Sequence, residues 1–160
     1  MDIVDHKTRS RMMSGIQGKN TRPEVAIRRK LFAAGYRYRL YVADLPGKPD
    51  IVLSKFRTVI FIQGCFWHHH NCALFRLPQT RTEFWKKKLE DNRERDKRNV
   101  EKLLAMSWRV ILIYECTWRF PGADRESELN RVIDKVTEFL HQTDSTRLVL
   151  EGETKSEAIP

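Results

Sequence analysis

Two short runs constrain this chain more than anything else in it. Residues 58–62, "TVIFI", and 108–114, "WRVILIY", are apolar at nearly every position. A strand with one wet face alternates polar and apolar residues, whereas an unbroken apolar run belongs to a strand covered on both faces. Such strands demand helices above and below them, and amphipathic segments are present to supply these. Thr21-Arg22-Pro23-Glu24 offers an N-cap, a proline in the first turn and a glutamate three residues after the cap. Val25, Ala26, Ile27, Leu31 and Phe32 then give an apolar face, and Gly35 a stop. A long charged helix is expected over 83–105, with Thr80 as a possible cap. A further helix over 126–141 would place Leu129, Val132, Ile133, Val136 and Leu140 on one side.

Leu45-Pro46-Gly47-Lys48-Pro49 marks a turn, after which residues 50–53 form a hairpin with the first apolar run. The order helix, hairpin, long helix, strand, helix predicts an α/β fold, a mixed sheet flanked by helices. At 160 residues the chain has room for one such domain. Residues 1–20 are expected to be a basic arm, 21–141 the folded domain and 142–160 an acidic, frayed tail.

The net charge is +9 and unevenly spread. Residues 1–119 carry 25 Lys/Arg against 12 Asp/Glu, and residues 120–160 carry 5 against 9. A basic body suits a polyanionic partner, with nucleic acid the first candidate. No stretch has the roughly 20 apolar residues of a membrane span, and the start "MDIVDHKTRS" has no apolar signal core. A cytoplasmic location is therefore expected, where three cysteines are thiols or metal ligands rather than a disulfide framework.

Directly after the first apolar run comes "QGCFWHHHNC", residues 63–72, with two of the three cysteines and three of the five histidines. A structural zinc site takes four thiolate or imidazole ligands. Cys65, His70 and Cys72 lie in this loop, and Cys116 follows the second apolar run, which would exit the same end of the sheet. Together they form a candidate Cys₃His site; the alternative is three buried free thiols. His68 and His69 are left over, and a histidine that titrates near neutrality is a natural general base.

A second constellation involves Asp50 and Gln63. A Pro-Asp at a strand start, paired across a hairpin with a polar residue, occurs in restriction-type nucleases, where a carboxylate holds Mg²⁺ against the scissile phosphate. The usual Asp/Glu-x-Lys is missing here, since Gln63-Gly64-Cys65 stands in its place, and His68 is the candidate substitute for the lysine. Glu24 is either the third residue of a capping box or a carboxylate folded over the site.

"GCFWHHHNC", with "LPGKPDIVL", "TRTEFWKKKLEDNRERD" and "WRVILIYEC", closely resembles the very short patch repair endonucleases, over about residues 8–116. The resemblance implies a restriction-endonuclease-like fold with a structural Zn²⁺, and an Mg²⁺-dependent enzyme acting on double-stranded DNA. Such an enzyme nicks 5′ of the thymine in a T·G mismatch left by deaminated 5-methylcytosine, in functional partnership with a cytosine-5 DNA methyltransferase. A nick in one strand needs only a monomer. It also implies roles for single residues: Asp50 and the Ile62 carbonyl for Mg²⁺, His68 as base, Glu24 as an active-site acid, and Cys65, His70, Cys72 and Cys116 for zinc. Phe66, Trp67 and Met13 would wedge into the duplex. Unstacking is least costly at a mispair, so a wedge converts weak pairing into selectivity; the other reading of Phe66 and Trp67 is a small core under the zinc loop. The chain departs from the family pattern at two positions, with Ile62 in place of a threonine and Gln63 in place of a histidine. Two rivals keep parts of this reading: a restriction-type nuclease of matched duplex, and a non-catalytic mismatch-binding module.

Overall fold

The two apolar runs lie side by side at the centre of a five-stranded sheet. In the computed structural model, which describes residues 21–152 and Lys7, the strands are β1 (Arg39–Leu40), β2 (Ile51–Leu53), β3 (Thr58–Gln63), β4 (Arg109–Tyr114) and β5 (Arg147–Leu150), in that spatial order. β1, β2 and β3 pair antiparallel, while β3, β4 and β5 pair parallel. The helices are α1 (Arg22–Ala33), α2 (Thr82–Ala105) and α3 (Arg125–His141). α2 connects β3 to β4 and α3 connects β4 to β5, as parallel neighbours require.

Strand residues alternate between two cores. Ile51, Leu53, Ile60, Ile111 and Ile113 face α1 and α3, where Ile27, Leu31, Val132 and Val136 meet them. Val52, Val59, Val110 and Leu112 face the other way, onto Val100 and Leu103 of α2. Both faces of β3 and β4 are thus dry, which is why neither run alternates. No helix among the described residues is long and apolar enough to cross a membrane.

The expected N-cap of α1 is in place, with the Thr21 hydroxyl accepting the Glu24 amide at 3.4 Å. The expected cap of α2 is not. Arg81, in the left-handed region at φ 53°, holds the cap position without a side-chain bond, and the Thr82 hydroxyl donates to the carbonyls of Pro78 and Gln79 at 2.9 and 3.0 Å. The expectation of a frayed tail from residue 142 is corrected as well. Residues 147–150 are the fifth strand, and Gly152 beyond it hydrogen-bonds Cys116. Acidic neighbours hid a strand that is only four residues long. The expected arm and its Met13 lie outside the described residues.

Truncating Ile111, which is fully buried, to alanine is expected to cost about 2–5 kcal/mol in urea unfolding. Val149→Ala, on the exposed side of the edge strand, should cost less than about 1 kcal/mol. Equal losses would contradict this core.

Candidate active site and metal centre

The turn before β2 sets the first wall of a cleft. Gly47 has φ +78°, and a Cβ there would meet the Phe61 ring at 3.1 Å and Asn99 at 3.2 Å, so glycine lets the turn lie flat on β3. Asp50 follows, just outside the β2–β3 ladder. Its Oδ2 accepts the Ile62 amide at 2.7 Å, in the place a strand carbonyl would otherwise take. Burial pushes the Asp50 carboxyl up to about 7, with the Ile62 N–H and His68 pulling it down and the nearby Glu24 charge adding to the rise. Glu24, only 5% exposed in the first turn of α1, accepts a short hydrogen bond from the Tyr41 hydroxyl. Two carboxyl groups thus share one partly dry cleft, an arrangement that favours a cation or a retained proton.

β3 then ends and the loop 64–72 folds back under α2. Its turns are closed by His68 N to Gly64 O at 3.2 Å and His70 N to Cys65 O at 2.9 Å, with His69 at φ 50°. Two residues one turn apart on α2 hold it. Asn92 Nδ2 donates to the Trp67 carbonyl at 3.1 Å, and Asp96 makes a short contact to His68 Nδ1. With Nδ1 on Asp96, Nε2 is the His68 nitrogen left to meet water. His68, Asp96, Asp50, Glu24 and Gln63 all line one cleft of about 930 Å³, with Lys48 and Arg95 also on its wall. Gln63 is 5% exposed on the α2 side of the sheet.

The four expected sulfur and nitrogen ligands come together. The ligand atoms of Cys65, His70, Cys72 and Cys116 all lie within 4.8 Å of one another, and all four residues are buried. This follows from β3 and β4 running parallel in the register Gln63↔Tyr114, which releases Cys65 and Cys116 at the same end of the sheet. The three cysteines are free thiols. His70 turns Nδ1 to Cys116 Sγ at 3.5 Å and donates from Nε2 to Glu151 at 2.5 Å, while its ring stacks on Tyr114 at 3.9 Å and 13°. Burial opposes charge on His70, but the bonds to Cys116 and Glu151 outweigh it and lift its pKa to about 9. A hydrogen bond from Cys65 favours the Cys116 thiolate, held down at about 4, and the Cys65 thiol is pushed up in turn. Three thiols and one imidazole nitrogen at this spacing make a donor set suited to a soft, tetrahedral metal ion.

Phe66 and Trp67 lie half-buried in a surface aromatic cluster rather than in either main core. Their rings are 5.1 Å apart, and Trp85 of α2 lies 5.6 Å from Phe66 and 6.1 Å from Trp67. Phe66 also stacks on the buried Phe75 at 6.3 Å, as the small-core reading expects. Sequence reasoning missed Trp85, Asn92, Asp96, Tyr41 and Glu151. The Asn92–Asp96 spacing of four was visible, but nothing set it apart within a largely charged helix.

An acidic pair and a histidine–aspartate pair in one open cleft are groups of the kind that phosphodiester-cleaving sites use. Residues 1–74 match the family model described as DNA mismatch endonuclease Vsr. The chain is 45% identical over 118 residues to a DNA mismatch endonuclease Vsr of Escherichia coli, covering 74% of this chain and 76% of the relative. It is 43% identical to the type II nicking enzyme V.XorIIP of Xanthomonas oryzae, covering 83% and 97%, and 42% identical to V.NmeAIP of Neisseria meningitidis, covering 84% and 96%. The chain belongs to the Vsr family of very short patch repair endonucleases.

The raised Asp50 pKa has a consequence for stability. The native site binds a proton more tightly than the unfolded chain, so the contribution of Asp50 is greatest at low pH and declines between about pH 4 and 7. Asp50→Asn keeps an acceptor for Ile62 and removes the charge. In magnesium-free buffer at pH 8 it is expected to raise the melting temperature by about 2–4 °C per kcal/mol recovered. A lower melting temperature than wild type would mean that the ionised carboxylate is welcome in the cleft.

Proposed function

We propose that this protein is an Mg²⁺-dependent repair endonuclease that nicks duplex DNA 5′ of the thymine in a T·G mismatch, within a restriction-endonuclease-like variant of the mixed α/β fold. The observation that carries the reading is the single cleft in which Asp50, Glu24 and the His68–Asp96 pair meet. Family membership supplies the substrate class.

Asp50 and the Ile62 carbonyl would hold Mg²⁺, which supplies polarisation of the scissile phosphate. In an antiparallel pair a residue directs its N–H and C=O to the same neighbour. The Ile62 N–H bond to Asp50 therefore supports a carbonyl on that side, and explains why isoleucine serves where a threonine would also do. His68 takes the proton of the attacking water at Nε2. Asp96 at Nδ1 orients the ring and leaves Nε2 for the water. Water attacks phosphorus in line, the bond to the 3′ oxygen breaks, and that oxygen takes a proton from solvent, so that a 5′-phosphate and a 3′-hydroxyl remain. Gln63, neutral at every pH, serves as a hydrogen-bond donor to a phosphate oxygen and not as an acid. Glu24, held by Tyr41, adds negative charge for the cation.

Cys65, His70, Cys72 and Cys116 would hold a structural Zn²⁺, a fully ligated ion with no open position for water. Phe66 and Trp67 enter the duplex beside the mispair, with Met13 from the arm, and exposed basic residues of 86–98 hold backbone phosphates. The mismatch arises where a partner cytosine-5 methyltransferase has acted. A monomer in the cytoplasm suffices for one nick.

The test is a nicking assay with Mg²⁺ on duplexes end-labelled on each strand, with T·G mismatches in many contexts and matched T·A controls. Cutting only 5′ of the mismatched thymine is expected. His68→Ala should lower kcat by about 10²–10⁴, Asp96→Asn should lower it with little change in KM, and Asp50→Ala should abolish cutting. Equal cutting of matched duplex would replace this reading with a restriction-type activity, and tight binding without a cut would leave a mismatch-binding module.

A further inference from the structure

The segment Arg147–Gly152 is more than an edge strand. β5 pairs with β4 up to Ile113↔Leu150, and the next two residues bend onto the cysteine–histidine cluster. Glu151 accepts from His70 Nε2 at 2.5 Å, and the Gly152 amide donates to Cys116 Sγ at 3.2 Å. Gly152 has no room for a side chain, since a Cβ would lie 2.6 Å from the Cys116 carbonyl oxygen. Two successive residues of this segment thus each touch a different candidate ligand. His70 is fixed from three sides, by Cys116, by Glu151 and by the Tyr114 ring.

We infer that Glu151 and Gly152 form an outer clasp for the zinc site, so that metal binding and the seating of β5 are one linked equilibrium. The inference rests on the zinc reading above. Its chemistry is that of a carboxylate behind a ligating imidazole. A bond at Nε2 fixes the proton there, leaves the Nδ1 lone pair for the metal, and makes that nitrogen a better donor. An amide donating to a thiolate stabilises its negative charge in the same way. By linkage, whatever the clasp adds to metal affinity, the metal adds to the docking of β5. Glu151 and Gly152 are therefore positioning residues, outside the inner ligand set.

Zinc release from the full-length loaded protein to a chromophoric chelator tests this, together with amide exchange over residues 147–152. Glu151→Ala should weaken zinc binding by about 10–100-fold. Glu151→Gln, which keeps an acceptor and loses the charge, should fall between it and wild type, and Gly152→Ala should also release zinc faster. Withdrawal of zinc from the wild type should speed amide exchange over 147–152 more than over β2. A purely structural role for Glu151 would lower the melting temperature equally with and without zinc, whereas the clasp lowers it only in the loaded protein. Zinc held by Glu151→Ala within twofold of wild type overturns the clasp and leaves the zinc site standing. So does unchanged exchange over 147–152 after withdrawal from a protein that stays folded. If withdrawal unfolds the whole chain, the release rates of the two Glu151 variants decide. A wild type that binds no zinc overturns both readings.

Discussion

The parallel pairing of β3 with β4 is the constraint on which the rest depends. Its register brings Gln63 beside Tyr114, so the loops that follow begin at one end of the sheet, next to each other. Cys65 and Cys116 approach for that reason, although they are 51 positions apart in the sequence. The same end carries the Glu115 carboxylate that receives the Cys65 amide at 3.1 Å. A register slip of one residue would turn every side chain of β3 over, sending isoleucines toward α2 and Gln63 toward α1 and α3. The apolar fill on both faces therefore protects the site as much as it stabilises the fold.

The cleft balances two opposing demands. On the proposed reading its carboxylates are buried to hold a cation away from bulk water, yet burial, with the Glu24 charge nearby, works against the ionisation of Asp50. The structure meets this with directed donors, the Ile62 amide for Asp50 and the Tyr41 hydroxyl for Glu24. On the proposed reading, these bonds hold each group in place before an ion or phosphate arrives, which is the preorganisation that electrostatic catalysis uses.

What the sequence revealed and what it hid divide along a physical line. The candidates Asp50 and His68 and the four candidate cysteine and histidine ligands stand out because their sequence settings are distinctive and the functions of such settings few. The two dry strands stand out because their pattern does not alternate. Asp96 and Glu151 were hidden because carboxylates are common and only a fold brings them to a histidine 28 or 81 residues away. β5 was hidden because an edge strand of four residues buries little, exposing Arg147 and Val149. The failed cap at Thr80 is of the same kind. Local pattern favoured one helix start, and the chain leading into α2 from the loop took another, through the left-handed Arg81.

Trp67 and His68 are consecutive, and α2 pins both, through Asn92 and Asp96 one turn apart. On the proposed reading, the side chain that enters the duplex and the imidazole that meets water therefore sit on adjacent residues clamped to the same helix. Wedge and base then move as one body, and shifting the cut relative to the mispair would require reshaping this loop or its two anchors on α2.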